Sequence, residues 1–293
     1  MSGTVGFLDA VALRPLTRAV AEPPRTSAFT ATTQPVPWPK AYGGDLLAQA
    51  AAAATMTVTA DRTLHAMHSV FVAPAAIGAD LRYDVETLRD GRSYSSRRVL
   101  ASADGAIVFT AICSFHTGES SDVIAAAMPV DVPPPDEVPS SAERVAHLEG
   151  AAARYWADGR SFDVRHIGEA HYDVPAEDRA PEVRLWIRAL GSLPDDPALH
   201  RLALIYVCDY AMLEPVLKAQ GLAWADTDLV TASLDHSMWL HADARLDDWV
   251  LCTLTATSFA HGRALVRGEF HTRGGVHLAS VAQQGMIRRR SAR

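Results

Sequence analysis

The sequence predicts an α+β protein built from two copies of one unit, in each of which an antiparallel sheet wraps a long central helix. Three observations point there. Two long segments are apolar nearly all round, each is followed by four β-rich runs, and landmarks in the two sets recur at a nearly constant offset. His68-Ser69 falls on His236-Ser237, Gly91-Arg92 on Gly262-Arg263, Asp104-Gly105 on Gly274-Gly275, and Thr110 on Ser280. The units are assigned to residues 1–118 and 171–293. The proline-rich stretch 119–170, with "MPVDVPPPDEVPSS" at its heart, is read as an exposed linker because proline cannot donate to a strand ladder.

In the first unit, "YGGDLLAQAAAAATMTV" reads as helix from its alanine and leucine content, with Gly43, Gly44 and Asp45 at its start. The strands "LHAMHSVFVA", "LRYDVETLRDG", "YSSRRVLASADG" and "AIVFTAICSFH" follow. In the second unit, one long helical segment, "LHRLALIYVCDYAMLEPVLKAQG", ends at Gly221, with Pro215 marking a bend or break. Its strands are "LVTASLDHSMWLHA", "DWVLCTLTATSFAHG", "ALVRGEFHTRGG" and "VHLASVAQQGMIR".

Composition narrows the function. A net charge of -7 with scattered basic residues argues against nucleic acid as a partner, and the basic tail "RRRSAR" reads as a solvated terminus. Cys113, Cys208 and Cys252 lie inside apolar runs and read as small buried hydrophobes in a reducing compartment. No run approaches the ~20 apolar residues of a membrane span, no basic leader precedes an apolar stretch, and the last tripeptide is not of the Ser-Lys-Leu type. A cytoplasmic protein without stable membrane insertion is expected. The Gly-x-Ser-x-Gly, Gly-x-x-x-x-Gly-Lys and Gly-x-Gly-x-x-Gly signatures are absent, and His65 and His68, three apart on a strand, point to opposite faces. No cofactor and no metal are expected.

Polar residues inside apolar elements are the candidates for chemistry. Asp209 sits between "LALIYVC" and "YAML", where burial demands a partner or a positioned role; a cap or backbone-bonded carboxylate is the other reading. Gln283 shares a strand face with Ala279 and Val281, and its counterpart in the first unit is Cys113, so the units have diverged at this position; an edge glutamine bonded to its neighbour strand is the alternative. In "ASLDHSMWLH" strict alternation sets Ser233, Asp235 and Ser237 on one face and His236 on the apolar face. Consecutive Asp235, His236 and Ser237 therefore form no triad, and His236 reads as a core histidine.

The stretches "YGGDLLAQA", "LHAMHSVFV", "LRDGRSYSSRRV", "LHRLALIYVCDY", "ASLDHSMWLH", "RALVRGEFHTRGGVHLAS" and "VAQQGMIR" together resemble the TesB-like acyl-CoA thioesterase II family, with its double hotdog fold. The resemblance covers nearly the whole chain in order. It implies hydrolysis of an acyl-CoA to free acid and coenzyme A without metal or acyl-enzyme, by a water held among an aspartate, a threonine or serine, and a glutamine. These positions fall on Asp209, Ser233 and Gln283; threonine is the commoner hydroxyl residue, and serine lacks the methyl that fixes its rotamer.

Backbone N–H groups at Gly43 and Gly44 are candidates to hold the developing oxyanion. Arg97, Arg98 and Arg288 are candidates to hold the coenzyme A phosphates. A homodimer or dimer of dimers is expected from an antiparallel sheet with one face uncovered. One geometric conflict stands: alternation turns Ser233 away from the helix that carries Asp209. A bulge, a strand beginning after Ser233, or a site at the seam of the two units would each resolve it. Two rival functions are a hotdog enoyl-CoA hydratase or dehydratase, disfavoured because no histidine follows Asp209 closely, and a non-catalytic acyl-CoA-binding protein.

Overall fold

A computed structural model describes residues 4–17 and 25–290. The last three residues of the basic tail lie outside this range. The chain begins with α1 (Thr4–Ala10), β1 (Arg14–Pro15), β2 (Thr26–Thr32), α2 (Gly43–Thr55), β3 (Thr63–Phe71), β4 (Asp80–Asp90), β5 (Tyr94–Ala103) and β6 (Ala106–His116). Two short helices, α3 (Ser141–Arg144) and α4 (Ala151–Arg154), follow, the latter running into a π-helical turn over Tyr155–Gly159. Then come β7 (Phe162–Ile167), β8 (Glu182–Ala189), α5 (Pro197–Val207), α6 (Glu214–Gln220), β9 (Leu229–Ser233), β10 (Asp235–Leu240), β11 (Val250–Ala260), β12 (Arg263–Thr272) and β13 (His277–Arg289).

The strands form one continuous antiparallel sheet in the order β1-β2-β4-β5-β6-β3-β10-β13-β12-β11-β8-β7, with β9 also paired to β13. The order reads the same from both ends, β2 answering β8 and β3 answering β10, so the two units meet edge to edge at β3 and β10. His68 and Ser237 face one another across that seam, joined by a 3.0 Å hydrogen bond between Nδ1 and Oγ. The register sharpens the repeat by one residue. His68 is exposed and His236 buried, so the residue that answers His236 is Met67, 169 positions earlier, rather than the identical His68. Cys113 pairs with Met67 on β6 as Gln283 lies across from His236 on β13.

Helix α2 is buried on every side from Gly44 to Ala54, as its alanines allow, because small side chains let the sheet close around it. Gln49 and Asp45 are polar residues buried within the helix. Gln49 accepts from Tyr83 Oη at 2.6 Å and donates to Thr32 O at 3.0 Å, and Asp45 accepts from the Gln34 amide at 2.7 Å.

The second unit departs from the expected single helix. It breaks after Val207 and resumes at Glu214, because Pro215 lacks an N–H and is tolerated only in a first helical turn, where it lies here. Gly221 ends α6 in the left-handed region, φ 67°. Within the stretch read as linker, residues 117–127 run exposed, but "FDVRHI" alternates buried and half-buried positions and pairs with β8 as a sheet strand.

Candidate active site

The break between α5 and α6 places Asp209 in a turn, so its carboxylate leaves the helix axis and reaches the seam of the units. Ser233 arrives by a bulge. From Ser237 opposite Ala282 to Ser233 opposite Gly285, four residues of β9–β10 are matched by three of β13, and the extra residue, at the break around Leu234, reverses the alternation. This resolves the conflict over its face. Gln283 comes from β13 on the inner face shared with Ala279 and Val281, as alternation predicts, and is 1% exposed.

The three side chains meet. Gln283 Nε2 donates to Asp209 Oδ1 at 2.8 Å and to Ser233 Oγ at 3.1 Å, while Ser233 Oγ donates to the same Oδ1 at 3.2 Å. Asp209 Oδ2 has no such bond among the described residues. It lies against Gly43, where any Cβ would collide with it, so glycine is required for this approach. Burial pushes the Asp209 carboxyl up to about 6, against the opposing pull of the Gln283 and Ser233 hydrogen bonds and of Lys40. A carboxyl in that range is mostly ionised at neutral pH yet basic enough to take a proton.

His236 is buried as expected, but its contacts extend beyond simple packing. Its Nδ1 donates to Gln283 Oε1 at 2.6 Å, and its Nε2 lies 3.2 Å from Cys208 Sγ. An amide oxygen cannot donate, so the proton sits on Nδ1, and burial drives the ring pKa down to about 4, keeping it neutral. This bond holds the amide of Gln283 with its NH₂ toward the carboxylate; the reverse orientation would set oxygen against oxygen. Asp235 instead accepts from the Gln284 amide at 2.9 Å and Ser237 faces His68, so no triad forms.

A cavity of about 520 Å³ opens on this cluster, walled by both units: Gly43 and Phe71 from the first, Asp209, Ser233 and Gln283 from the second. Gly43 opens α2, and Tyr42 before it offers no side-chain cap, which leaves the first helical amides to other acceptors. Gly44 does not line the cavity and packs against the Tyr42 ring and the Tyr206 carbonyl.

None of the three arginines proposed for phosphates lies on the wall. Arg97 is buried and bonds Thr57 Oγ1 at 2.8 Å and Asp90 at 2.8 Å, Arg98 pairs with Glu86 at 2.5 Å, and Arg288 is exposed on β13. The cations on the wall are Lys40, Arg160 and Arg290. Lys40, whose Nζ donates to Thr231 O at 2.7 Å, stands three residues before Gly43 and was findable from that spacing. Arg160 lies in the stretch read as linker, where nothing local marks it.

Two family models cover most of the chain: an acyl-CoA thioesterase N-terminal domain over residues 34–116 and an acyl-CoA thioesterase C-terminal domain over 125–287. The chain is 30% identical to acyl-coenzyme A thioesterase 8 of Mus musculus, across 84% of this chain and 80% of that one. It is 28% identical to acyl-CoA thioesterase 2 of Haemophilus influenzae, across 89% and 92%. Among solved structures, the acyl-CoA thioesterase II TesB2 from Mycobacterium marinum superposes with a TM-score of 0.75 at 28% identity, covering 97% of this chain and 99% of that one. The tesB protein of Mycobacterium avium subs paratuberculosis superposes at 0.78 and 28%, covering 98% and 100%.

Proposed function

The chain belongs to the TesB-like acyl-CoA thioesterase II family and is a thioester hydrolase, and from that premise we propose that Asp209 activates the water that attacks the acyl-CoA carbonyl. The observation that carries the proposal is the convergence of Gln283 Nε2 and Ser233 Oγ on Asp209 Oδ1 at the cavity wall, with Oδ2 left to the cavity. Ser233 and Gln283 orient the water. Asp209 takes one of its protons as oxygen adds to the carbonyl carbon, a general-base step typically worth ~10²–10⁴-fold.

The tetrahedral intermediate places negative charge on the former carbonyl oxygen. The amide of Gly43, at the open N-terminus of α2, is the donor in position to meet it, since helix N-termini favour negative charge. Collapse breaks the carbon–sulfur bond, coenzyme A leaves as thiolate, and the proton held by Asp209 passes to it. The free acid is the second product. Lys40 and Arg290, both on the wall, take the role first sought in Arg97, Arg98 and Arg288, as counter-charges to coenzyme A phosphates.

The test is release of free thiol from a panel of short to long acyl-CoAs by wild type and by Asp209→Asn, with folding of both followed by thermal melting. The expected outcome is a loss of at least ~100-fold in kcat/KM in a folded variant. Turnover that persists in the variant would remove Asp209 as the base. No turnover by wild type, with acyl-CoA still raising the melting temperature, would favour a binding protein instead.

A further inference from the structure

We infer that the Arg160 wall of the cavity receives a negatively charged group carried by the acyl chain, so that ω-carboxyacyl-CoAs are substrates; this rests on the thioesterase reading of the same cavity. Arg160 is 7% exposed and lines the cavity that holds Asp209. Its Nη2 is committed, donating to Ser141 Oγ at 2.8 Å, Trp156 O at 3.1 Å and Tyr172 Oη at 3.1 Å. Nε is buried without a hydrogen-bond partner, and among the described residues Nη1 has neither a hydrogen bond nor a carboxylate to pair with. An arginine stays charged whatever its surroundings, and a buried charge without a counter-charge is strongly unfavourable.

Among the described residues no carboxylate pairs with Arg160. Glu214, also on the wall, is committed to His166 at 2.7 Å and to the Trp224 indole N–H at 3.1 Å, and reaches Arg160 only through His166 and Tyr172, whose Oη lies 3.5 Å from His166 Nδ1. The guanidinium carbon stands 5.5 Å from the centre of the Tyr210 ring, and Tyr210 follows Asp209 in the chain. Base and cation therefore border one cavity beside the same aromatic ring, with Trp38, Tyr155 and Trp156 completing the apolar wall around the acyl chain. A plain alkyl chain there would dry the guanidinium and leave it unpaired. A distal carboxylate would pair with it in a charge-assisted bond. The reaction itself is unchanged: water adds across the carbon–sulfur bond, and the products are a dicarboxylic acid and coenzyme A.

The experiment compares kcat/KM for chain-matched pairs, butyryl- against succinyl-, hexanoyl- against adipoyl-, and octanoyl- against suberoyl-CoA, in wild type, Arg160→Gln and Arg160→Lys. In wild type the ω-carboxyl member is expected to win at one length or more. Arg160→Gln is expected to lower that ratio roughly tenfold or more, the scale of one hydrogen bond to a charged group, and Arg160→Lys to restore part of it. A wild-type preference for the plain chain at every length overturns the inference, even where Arg160→Gln fails to fold. So does an equal rise in KM for both members of each pair, which would make Arg160 an anchor for coenzyme A. If wild type hydrolyses neither class, the thioesterase reading fails separately. The subsite is then judged by melting, a larger rise with adipate than with hexanoate supporting it and an equal or smaller rise overturning it.

Discussion

Met67 and Cys113 in the first unit and His236 and Gln283 in the second occupy the same place in the repeat, facing each other across two neighbouring inner-face strands beside the seam. The first pair is wholly apolar, and burial raises the Cys113 thiol to about 12, so it stays a protonated, inert side chain. The second pair is bonded at 2.6 Å and aims an amide N–H at Asp209. Across the seam, the charge of Lys40 from the first unit opposes the rise of the Asp209 pKa. One scaffold thus carries a packing solution on one side and a hydrogen-bonded chain on the other. The proposed chemistry draws on both, since the first unit contributes Gly43 and Lys40 to the cavity that Asp209, Ser233 and Gln283 line from the second.

The strongest way to break the contrast is to rebuild the second pair as a copy of the first. His236→Met with Gln283→Cys is expected to fold, because the first unit packs these side chains at the equivalent place, and to lose about 10²–10³-fold in kcat by thiol release, because the water loses its orienting donor. A double variant that folds and keeps its rate would detach Gln283 from the reaction.

A milder change separates the two residues. His236→Met alone leaves Gln283 Oε1 without its donor, so its amide turns freely; kcat is expected to fall about tenfold, with a stability loss of about 1–3 kcal/mol by denaturant titration. His236→Asn, which can offer an N–H in the same direction, is expected to recover part of the rate, and a rate equal to that of His236→Met would reduce the histidine to packing.

The pH dependence sharpens the comparison at Asp209. A base with its pKa raised to about 6 gives a kcat/KM that falls tenfold per unit below that pH and levels above it. Stability runs the other way. The folded pKa lies above the unfolded value of 3.8, so the folded state holds the proton more tightly; its contribution is fully present below about pH 4 and is lost as pH rises through about 6. Asp209→Asn is therefore expected to be more stable than wild type at pH 8, by on the order of 2 kcal/mol, with the gap closing toward pH 4. Melting curves across pH 4–8 decide it, and a constant gap would refute the burial argument. The smallest effect is expected for Ser233→Thr, which adds a rotamer-fixing methyl and keeps the hydroxyl: a change in kcat within about threefold.

Much of this was legible in the chain. The apolar segment from Gly44 to Ala54, the alternating runs of the strands and the repeated turn residues report burial and chain direction, which are local and periodic properties. Asp209 and Gln283 stood out as polar residues in apolar settings, and His236 as a histidine on an apolar face. The bulge around Leu234 was not legible, because an extra residue leaves the pattern of residue types unchanged and shows only as a shift against β13. The one-residue error in matching His68 with His236 has the same origin, since identity of letters outweighed the side of the sheet.

From the sequence alone came two helix-and-sheet units, the residues each must bury, and Asp209 and Gln283 as candidates for the reaction, because hydrophobic periodicity and helix propensity act over a few residues; Ser233 joined them only through the family resemblance. The tertiary structure alone decided which partners those candidates meet. Gln283 owes its orientation to His236, Ser233 its face to a bulge, and Arg160 its place on the cavity wall to elements far apart in the chain. Such contacts depend on register and on the seam between units, which no local pattern encodes.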